Sequence, residues 1–566
     1  MLREYQLTNF KAFAGPETIP IRPITLIYGP NSSGKSSILQ SLLLLKQTLE
    51  EAQSSATLLL PRGTLVDLGS YRELIHRHDV NNKLSFKVTF APGAKEGQSF
   101  RVRKLLEATN PASLGFQVTF SYVEKTGNIL LSSVEIFVGE QLLPVIVYEP
   151  GELATQLSDF PSPIRQYKSD ELNAELNSLL KRHFPNWDPN RMDLFVGSLN
   201  VGKINSEHRF WQTWWEMTKE YVREELSQSQ ATFAYRERED GEGWEYISDL
   251  RGGGEEKMLE LLENYPFEKA IEDFKEANQG LVLGLRNFLP NEVRNEPHTD
   301  SPFDVKWFYP DLSDSSSSGP DAQLDISPVT FRVCSLFRRF INDVVYLGPL
   351  RNDPERYYSF SGDLSEYVGK SGKMTPDILL KHPDLLDQVK VQFDRFGLEY
   401  KLQVLWLEEE GNVFALRVVD KKTGVSASIR DVGFGVSQVL PIIVQSLLSR
   451  NKTLLIEQPE IHLHPALQAE LGDLFIQSAL GEQKNTFILE THSEQLILRI
   501  LRRIRETAEG ELEPGLTPIR PEDVAVLYVL PDKDGAKVIE IPIRPDGEFV
   551  ERWPQGFFAE RAKELF

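Results

Sequence analysis

The most informative stretch for the fold and the function is Gly29-Pro30-Asn31-Ser32-Ser33-Gly34-Lys35-Ser36, near the start of a chain of 566 residues. Its two glycines permit a tight backbone path whose N–H groups face phosphate oxygens, and its lysine supplies positive charge to the β- and γ-phosphates. The hydroxyl after the lysine is suited to bind Mg²⁺. The stretch therefore predicts a P-loop with ATP and Mg²⁺ as cofactors. The predicted cofactor-binding residues are Gly29, Asn31, Ser32, Ser33, Gly34, Lys35, Ser36 and Ser37.

The residues on either side of the loop predict a strand before it and a helix after it. Ile24–Tyr28 is a short apolar run, and Leu39, Leu42 and Leu43 recur at helical spacing beyond the loop. A helix whose N-terminus follows a glycine loop directs its free N–H groups at an anion. The context therefore favours an α/β fold around a working P-loop.

Changes in composition predict three segments. Residues 1–140 hold the P-loop and several strand-like runs, which indicate a β-rich N-terminal lobe. Residues 141–330 contain helix-like runs at Asp170–His183 and Phe210–Gln230, interrupted by glycine, acidic and serine-rich stretches, and we predict an inserted, mainly helical domain. Residues 331–566 return to α/β character and complete the domain that the P-loop begins.

Bulk composition limits the possible function classes. The formal net charge of −21 argues against non-specific coating of nucleic acid, although a local basic groove stays compatible with it. The single cysteine, Cys334, cannot form an internal disulfide or a cysteine-based zinc site. No apolar run approaches the roughly 20 residues that span a bilayer, and the N-terminus lacks the pattern of a signal peptide. We expect a cytoplasmic protein without a membrane partner.

A second motif is the apolar run Thr453–Glu457, which ends in a carboxylate. A buried strand ending in an acid has the form of a Walker B segment, whose carboxylate holds Mg²⁺ directly or through water. The sequence therefore predicts Ser36 and Glu457 as the metal-binding residues.

Two weaker motifs lie nearby. Phe487–His492 is an apolar run ending in a histidine that could contact a γ-phosphate or orient water, and a surface histidine at a strand end is the alternative. Asp431–Gln438 is a glycine turn before a predicted helix at Val439–Ser449. Its backbone N–H groups could bind an anion, and a plain strand-to-helix turn is the alternative.

The order of these motifs is that of ABC-class ATPases. The line Leu455-Ile-Glu-Gln-Pro-Glu-Ile-His-Leu-His-Pro465, with Asn9-Phe10-Lys11 and the P-loop, resembles the ATPase heads of the overcoming-lysogenization-defect (OLD) family, relatives of the RecF and SMC heads. Tyr346–Arg351 and the tail Trp553–Phe558 resemble a bacterial branch known mainly as domains of unknown function. The resemblance covers the two outer segments and implies a P-loop NTPase of ABC/SMC-head type.

The resemblance also implies a homodimer, or a higher oligomer, in which two heads enclose two ATP molecules. Each P-loop would bind ATP in cis, while a signature turn contacts the ATP of the partner head. His492 would be the switch histidine, and His462 and His464 would lie on the loop that links the two sites. A metal site formed by these three histidines is the alternative. The residues expected to act in trans are Gly433, Gly435 and Ser437.

One departure from the family pattern concerns hydrolysis. Gln458 occupies the position directly after the Walker B acid, where such heads usually carry a catalytic glutamate. An amide can position water but cannot accept its proton. Glu460 is the candidate substitute, so the predicted catalytic residues are Gln458, Glu460 and His492. We expect slow hydrolysis, with ATP acting largely as a dimer clamp.

A second departure concerns nuclease activity. Complete OLD proteins carry a C-terminal Toprim nuclease, and the chain beyond His492 is too short for one. Asp532 and Asp534 are spaced like metal ligands, but Gly535 favours a hairpin turn there. The resemblance therefore implies a separate effector such as a nuclease, acting in anti-phage defence or DNA maintenance, with DNA binding possible in principle. The alternatives are a non-hydrolysing ATP-dependent scaffold or sensor and a metal-dependent nuclease.

Overall fold

The computed structural model describes most of the outer segments of the chain and part of the middle. The described residues are 2–52, 57–91, 113–139, 144–150, 199–228, 234–237, 244–247, 263–271, 281–286, 288–295, 327–360, 362, 365–408, 412–551 and 553. The predicted helix Asp170–His183 and the serine-rich stretch lie outside them.

The elements of the described residues alternate between strands and helices along the chain. The strands are β1 (Leu2–Thr8), β2 (Glu17–Pro20), β3 (Ile24–Tyr28), β4 (Leu84–Phe90), β5 (Leu114–Val123), β6 (Asn128–Val138), β7 (Ile146–Pro150), β8 (Leu199–Ile204), β9 (Ala234–Glu237), β10 (Trp244–Ile247), β11 (Leu281–Arg286), β12 (Leu289–Asn295), β13 (Val344–Leu347), β14 (Tyr358–Ser359), β15 (Tyr400–Glu408), β16 (Val413–Asp420), β17 (Ser426–Ser428), β18 (Thr453–Glu457), β19 (Thr486–Glu490), β20 (Val524–Leu530) and β21 (Lys537–Glu540). The α-helices are α1 (Lys35–Glu51), α2 (Tyr71–Leu74), α3 (Arg209–Gln228), α4 (Ser327–Asn342), α5 (Thr375–Lys381), α6 (Pro383–Arg395), α7 (Phe434–Leu448), α8 (Pro465–Leu480) and α9 (Glu494–Glu509).

The chain divides into two compact units. One, here called the P-loop unit, comprises Leu2–Gln47, Pro61–Asp79 and Arg339–Phe566. The other, here called the antiparallel unit, comprises Thr48–Leu60 and Val80–Arg338.

The P-loop unit is built on a mainly parallel sheet with the strand order β13-β18-β19-β3-β20-β21. β13, β18, β19, β3 and β20 pair in parallel, and β21 closes the edge as an antiparallel hairpin with β20. β3, β18 and β19 are buried at every position, as expected for parallel strands covered on both faces. This order places the carboxyl ends of β3, β19 and β18 side by side, which is where open α/β sheets bind ligands.

Helices α7, α8 and α9 pack on this sheet through a continuous apolar core. Phe475 of α8 lies against Phe487 of β19, with ring centroids 4.8 Å apart. α8 and α9 are also joined by a charged network in which Asp473 accepts hydrogen bonds from Arg499 and Arg503. Trp553, the described residue of the predicted tail motif, packs edge-on against Tyr28 at 5.2 Å. These contacts fix the strands whose ends form the site.

A small antiparallel sheet in the same unit has the order β14-β16-β15, with β17 paired to β16. β15 and β16 form a hairpin, and Asn412 before β16 has a φ of +51°, which suits a turn. β20 and β21 form the hairpin whose turn was predicted at Gly535.

The antiparallel unit contains a sheet with the order β12-β11-β8-β7-β6-β5-β4. β4 alternates buried and half-buried residues along its length, the pattern of a sheet with one covered face. Trp211 of α3 is fully buried and its Nε1–H donates to the Val145 carbonyl oxygen at 3.1 Å. Trp214 and Trp215 are also buried, so the tryptophan-rich part of this helix is core packing.

The described part of the inserted segment contains strands as well as a helix. The helix predicted at Phe210–Gln230 is present as α3, but β7 to β12 lie in the same segment, so its described part is mixed rather than mainly helical. β6 and β7 also pair across the predicted boundary at residue 140, and the compact units do not divide there. Short strands separated by glycine and charged runs give little periodicity of their own, because their pairing partners are distant in sequence. The α/β P-loop fold class itself is confirmed.

Among the helices that the structure describes, none has the length and apolar character needed to cross a membrane.

Candidate nucleotide-binding site

The predicted P-loop forms a tight turn between β3 and α1, and α1 begins at Lys35. Gly29 and Gly34 have φ angles of +146° and +108°, which L-residues rarely adopt. A Cβ on Gly29 would lie 2.6 Å from the carbonyl oxygen of Val529 on the neighbouring strand β20. Only glycine fits that position, so the loop's geometry depends on sheet packing as well as on local flexibility.

Lys35 is the central charge of the loop and is only 4% exposed. Its Nζ donates to the carbonyl oxygens of Gly29 at 3.0 Å and Pro30 at 2.9 Å. Burial lowers the pKa of Lys35, and the carboxylates of Glu490 and Glu460 oppose that shift. The ammonium group therefore lies within the field of Glu490, which ends β19, and of Glu460, in the turn after β18.

The carboxyl edge of the sheet brings two carboxylates together. Glu457 and Glu490 end β18 and β19 and are directly paired in the parallel register, while Glu490 is paired on its other side with Ile27 of β3. Burial raises the pKa of Glu490, while the neighbouring Ser36 hydroxyl and the charge of Lys35 lower it. Its Oε2 is buried and has no hydrogen-bond partner among the described residues.

Glu457, the predicted Walker B acid, lies one strand further from the P-loop than Glu490. Its Oε1 accepts a hydrogen bond from the hydroxyl of Tyr346 at 2.8 Å. The pKa of Glu457 is raised to about 7, chiefly by burial and also by the neighbouring Glu490, against the lowering effect of the Tyr346 hydrogen bond. The structure thus places Glu490 between the two predicted metal-binding residues, Ser36 and Glu457.

The predicted catalytic residues are brought together by the segment after β18. Glu460 accepts hydrogen bonds from the Thr491 hydroxyl at 2.8 Å and from the backbone N–H of His492 at 2.6 Å. Gln458 has a φ of +46°, and its N–H donates to the carbonyl oxygen of Glu490 at 2.7 Å. Burial lowers the pKa of His492, and the charge of Lys35 lowers it further, so the imidazole favours its neutral form.

Sequence reasoning missed three side chains of this site. Tyr346 and Arg351 belong to a stretch that was recognised only for its family likeness, and Glu490 lay unassigned inside the histidine motif. Arg351 is 7% exposed, and its Nη2 donates to the carbonyl oxygens of Glu457 and Gln458, each at 3.3 Å. A signal was available for Glu490, because it ends its strand as Glu457 does.

The helix that follows the predicted signature turn begins earlier than expected. Gly433 is the N-cap residue, and α7 begins at Phe434 rather than at Val439. Gly435 and Ser437 therefore lie in the first turn of the helix, since the N–H of Val436 already bonds the Gly433 carbonyl oxygen at 3.2 Å. The unpaired N–H groups of a helix N-terminus keep the capacity for anion binding.

His462 and His464, in the loop between β18 and α8, lie against the starts of two helices. His464 is the N-cap of α8, and its Nδ1 accepts from the backbone N–H of Ala466 at 3.3 Å. A Cβ on Gly435 would lie 3.4 Å from the His462 carbonyl oxygen, so this loop packs against the start of α7. Throughout the described residues, no group of three or more His, Cys, Asp or Glu side chains is arranged to hold a metal ion.

The Asp532–Gly535 stretch is the turn of the β20–β21 hairpin, as predicted. Asp532 forms an ion pair with Lys537 at 2.9 Å, and Gly535 has a φ of +121°. The described residues around this turn hold no carboxylate cluster suited to a metal-dependent nuclease.

Three segments of the chain match known families. Residues 1–110 match a family described as "AAA ATPase domain", and residues 264–499 match one described as "AAA domain, putative AbiEii toxin, Type IV TA system". Residues 519–566 match "Protein of unknown function (DUF3696)". The segments that carry the P-loop and the Walker B strand therefore match AAA-type ATPase domains, which supports an ATP-binding ATPase.

Solved structures that match the chain include SMC heads. The SMC head domain bound to the C-terminal domain of ScpA from Pyrococcus furiosus is 12% identical over 100% of this chain and 98% of that chain, with a TM-score of 0.34. The SMC head domain from Thermotoga maritima is 9% identical over 96% of this chain and 99% of that chain, with a TM-score of 0.33. No curated protein matches the chain.

Proposed function

We propose that this protein binds Mg²⁺-ATP at the carboxyl ends of β3, β19 and β18, hydrolyses it slowly, and dimerises around it. The observation that carries the proposal is the convergence of the P-loop with acids from two neighbouring strands. Lys35 and Ser36 face Glu490, and Glu460 bonds the backbone of His492. A loop lysine, a hydroxyl and a carboxylate that hold Mg²⁺, and a residue that positions water are the parts that recur in P-loop sites for phosphoryl transfer.

The donor set fits a Mg²⁺-nucleotide. Ser33 Oγ is buried without a hydrogen-bond partner among the described residues, and a phosphate oxygen would supply one. Ser36, Glu490 and Glu457 offer the hard oxygen atoms that Mg²⁺ prefers. When bound, Mg²⁺ would neutralise charge on the β- and γ-phosphates. Lys35 would move from the loop carbonyls to phosphate oxygens without leaving its buried position.

Slow hydrolysis follows from the lack of a free base after the Walker B acid. Gln458 can hold water but cannot accept a proton, and both oxygens of Glu460 already accept hydrogen bonds. Neutral His492 can orient a water molecule or sense the γ-phosphate. ATP would therefore persist long enough to hold two heads together.

We expect Gln458→Glu to raise the rate of ATP hydrolysis by about tenfold or more, because a positioned general base contributes a factor of roughly 10² to 10⁴. Phosphate release at saturating ATP and Mg²⁺ measures the effect. Gln403→Glu, on β15, is the matched control and should leave the rate unchanged. The slow-hydrolysis idea fails if the wild type turns over on the order of 10 ATP per second, a typical enzymatic rate, and Gln458→Glu does not accelerate it.

A second candidate is a scaffold or sensor that binds ATP without hydrolysing it, and Gln458 is the feature that favours it. ATP-dependent dimerisation with no phosphate release above background from the wild type would select this candidate.

The trans role of the turn before α7 can be tested at Gly433. This residue is exposed, its φ and ψ of −52° and 141° suit any residue, and no described atom lies within 4 Å of a Cβ placed there. Aspartate is a favoured N-cap residue, so Gly433→Asp should preserve α7. Its negative charge would repel the γ-phosphate held by a partner head.

We expect Gly433→Asp to abolish ATP-dependent dimerisation while ATP affinity of the monomer stays within about twofold, as light scattering and nucleotide titration would show. Gly433→Ala is the control and should dimerise like the wild type. If Gly433→Asp also dimerises like the wild type, this turn does not contact nucleotide across an interface.

We further propose, on the OLD-like resemblance, that the dimer acts with a separate effector in anti-phage defence or DNA maintenance. Co-purification from the native host with ATP present tests this, since it reports oligomer, partner and bound DNA together. Plasmid nicking by the isolated protein, dependent on Mg²⁺, would instead favour an intrinsic nuclease and contradict the need for a separate one.

A further inference from the structure

Glu490 is the last residue of β19. Its strand, β19, lies between the P-loop strand and the Walker B strand. Its backbone is paired with Ile27, two residues before the P-loop begins, and with Glu457 on the other side. The sheet therefore presents Glu490 directly to the start of the loop.

The contacts of Glu490 point to a cation. The Ser36 hydroxyl, which is expected to bind Mg²⁺, lies close enough to Glu490 to lower the pKa of its carboxyl. The Oε2 atom of Glu490 is buried and has no hydrogen-bond partner among the described residues. A buried carboxylate oxygen without a partner is costly, and a bound cation is one group that offsets the cost.

The contacts of Glu457 point to a supporting role. Its Oε1 accepts the hydroxyl hydrogen of Tyr346, a residue on the far side of β18 from the P-loop strand. Arg351 donates to the carbonyl oxygens of Glu457 and Gln458 and holds the backbone where β18 ends. Glu457 is thus held toward β13 by its hydrogen bond from Tyr346, whereas Glu490 lies beside the hydroxyl of Ser36 in the P-loop.

We infer that the carboxylate of Glu490 and the hydroxyl of Ser36 coordinate the Mg²⁺ of the bound nucleotide. Glu457, on the next strand, is then a positioning residue that helps to hold Glu490 in place. Mg²⁺ commonly takes one or two protein ligands besides phosphate oxygens and water, which matches this pair. The inference rests on the proposed nucleotide site and changes which acid holds its metal.

The test compares Glu490→Gln with Glu457→Gln. For each variant, the affinity for a fluorescent ATP analogue is measured with saturating Mg²⁺ and with EDTA, and binding of Mn²⁺ in the presence of ADP is measured by electron paramagnetic resonance. We expect Glu490→Gln to lose the affinity gained from Mg²⁺ and to weaken Mn²⁺ binding by at least about tenfold, since even residues that only support a ligand cost 10- to 100-fold in metal affinity. Its affinity in EDTA should stay within about threefold of wild type.

Glu457→Gln should retain the larger part of the Mg²⁺ effect, because both proposed ligands, Glu490 and Ser36, remain. The reverse result, with Glu457→Gln losing more Mn²⁺ affinity than Glu490→Gln, would overturn the inference while leaving the proposed nucleotide site intact. Failure of the wild type to bind the analogue would overturn both. Glu490→Asp, which keeps the charge on a shorter side chain, provides a second variant if Glu490→Gln does not fold, and weakened Mn²⁺ binding is again expected.

Discussion

Lys35→Ala is expected to lower ATP affinity by about 100-fold or more. A charge-assisted hydrogen bond contributes about 1.5–3 kcal/mol, and Lys35 can direct its donors to both the β- and γ-phosphates. Since every 1.4 kcal/mol is about tenfold in affinity, losing two such bonds reaches that factor. The side chain is already buried at the loop and bonded to the Gly29 and Pro30 carbonyl oxygens, so the wild type spends little conformational entropy on binding. Calorimetric titration with Mg²⁺-ATP measures the loss.

The matched control for this variant is Lys46→Ala. Lys46 lies on the same helix, α1, is also buried, and donates to the carbonyl oxygen of Ile341 at 3.0 Å. This substitution should lower stability while leaving ATP affinity within about threefold of wild type. Equal ATP affinity in Lys35→Ala and wild type would contradict the assignment of the loop as the phosphate site.

Gly29→Ala is expected to destabilise the P-loop unit by about 2 kcal/mol or more and to weaken ATP binding as well. The φ of +146° costs a residue with a Cβ on the order of 1–3 kcal/mol. The added Cβ would also lie 2.6 Å from the Val529 carbonyl oxygen and 2.9 Å from Ser33 Oγ, so β20 or the loop must move. Chemical denaturation followed by tryptophan fluorescence measures the change in the free energy of unfolding.

Gly15→Ala is the control for glycine removal in the same unit. Its φ is not in the left-handed region, and no described atom lies within 4 Å of an added Cβ. It should change the free energy of unfolding by less than about 1 kcal/mol, because only the entropy of the unfolded chain is altered. If both variants were equally stable, the clash with β20 would not exist in solution.

Local patterns in the sequence were sufficient for much of the fold. The apolar run at Ile24–Tyr28 became β3, and the leucine spacing after Ser36 became α1. The turn at Asp532–Gly535 also formed as predicted. These features depend on backbone preferences and on periodicity within a few residues, which a single sequence displays directly.

Other predictions were incomplete where the outcome depended on distant neighbours. The start of α7 lies at Phe434, ahead of the predicted Val439, because Gly433 serves as an N-cap rather than as part of an extended turn. The inserted segment carries strands β7 to β12 beside its helix, since a strand is stabilised by partners that can be far away in the chain.

The P-loop could be predicted from the sequence, because its glycines, Lys35 and Ser36 lie close together in one short stretch. Glu457 and His492 could likewise be predicted as polar residues following apolar runs. Which acid lies beside the loop depends instead on the order of the strands in the folded sheet. Side-by-side pairing of parallel strands inserts β19 between β3 and β18, and this pairing brings Glu490 to Ser36. Strand order arises from packing between segments far apart in the chain, and the spacing of residues along the chain carries no direct record of it.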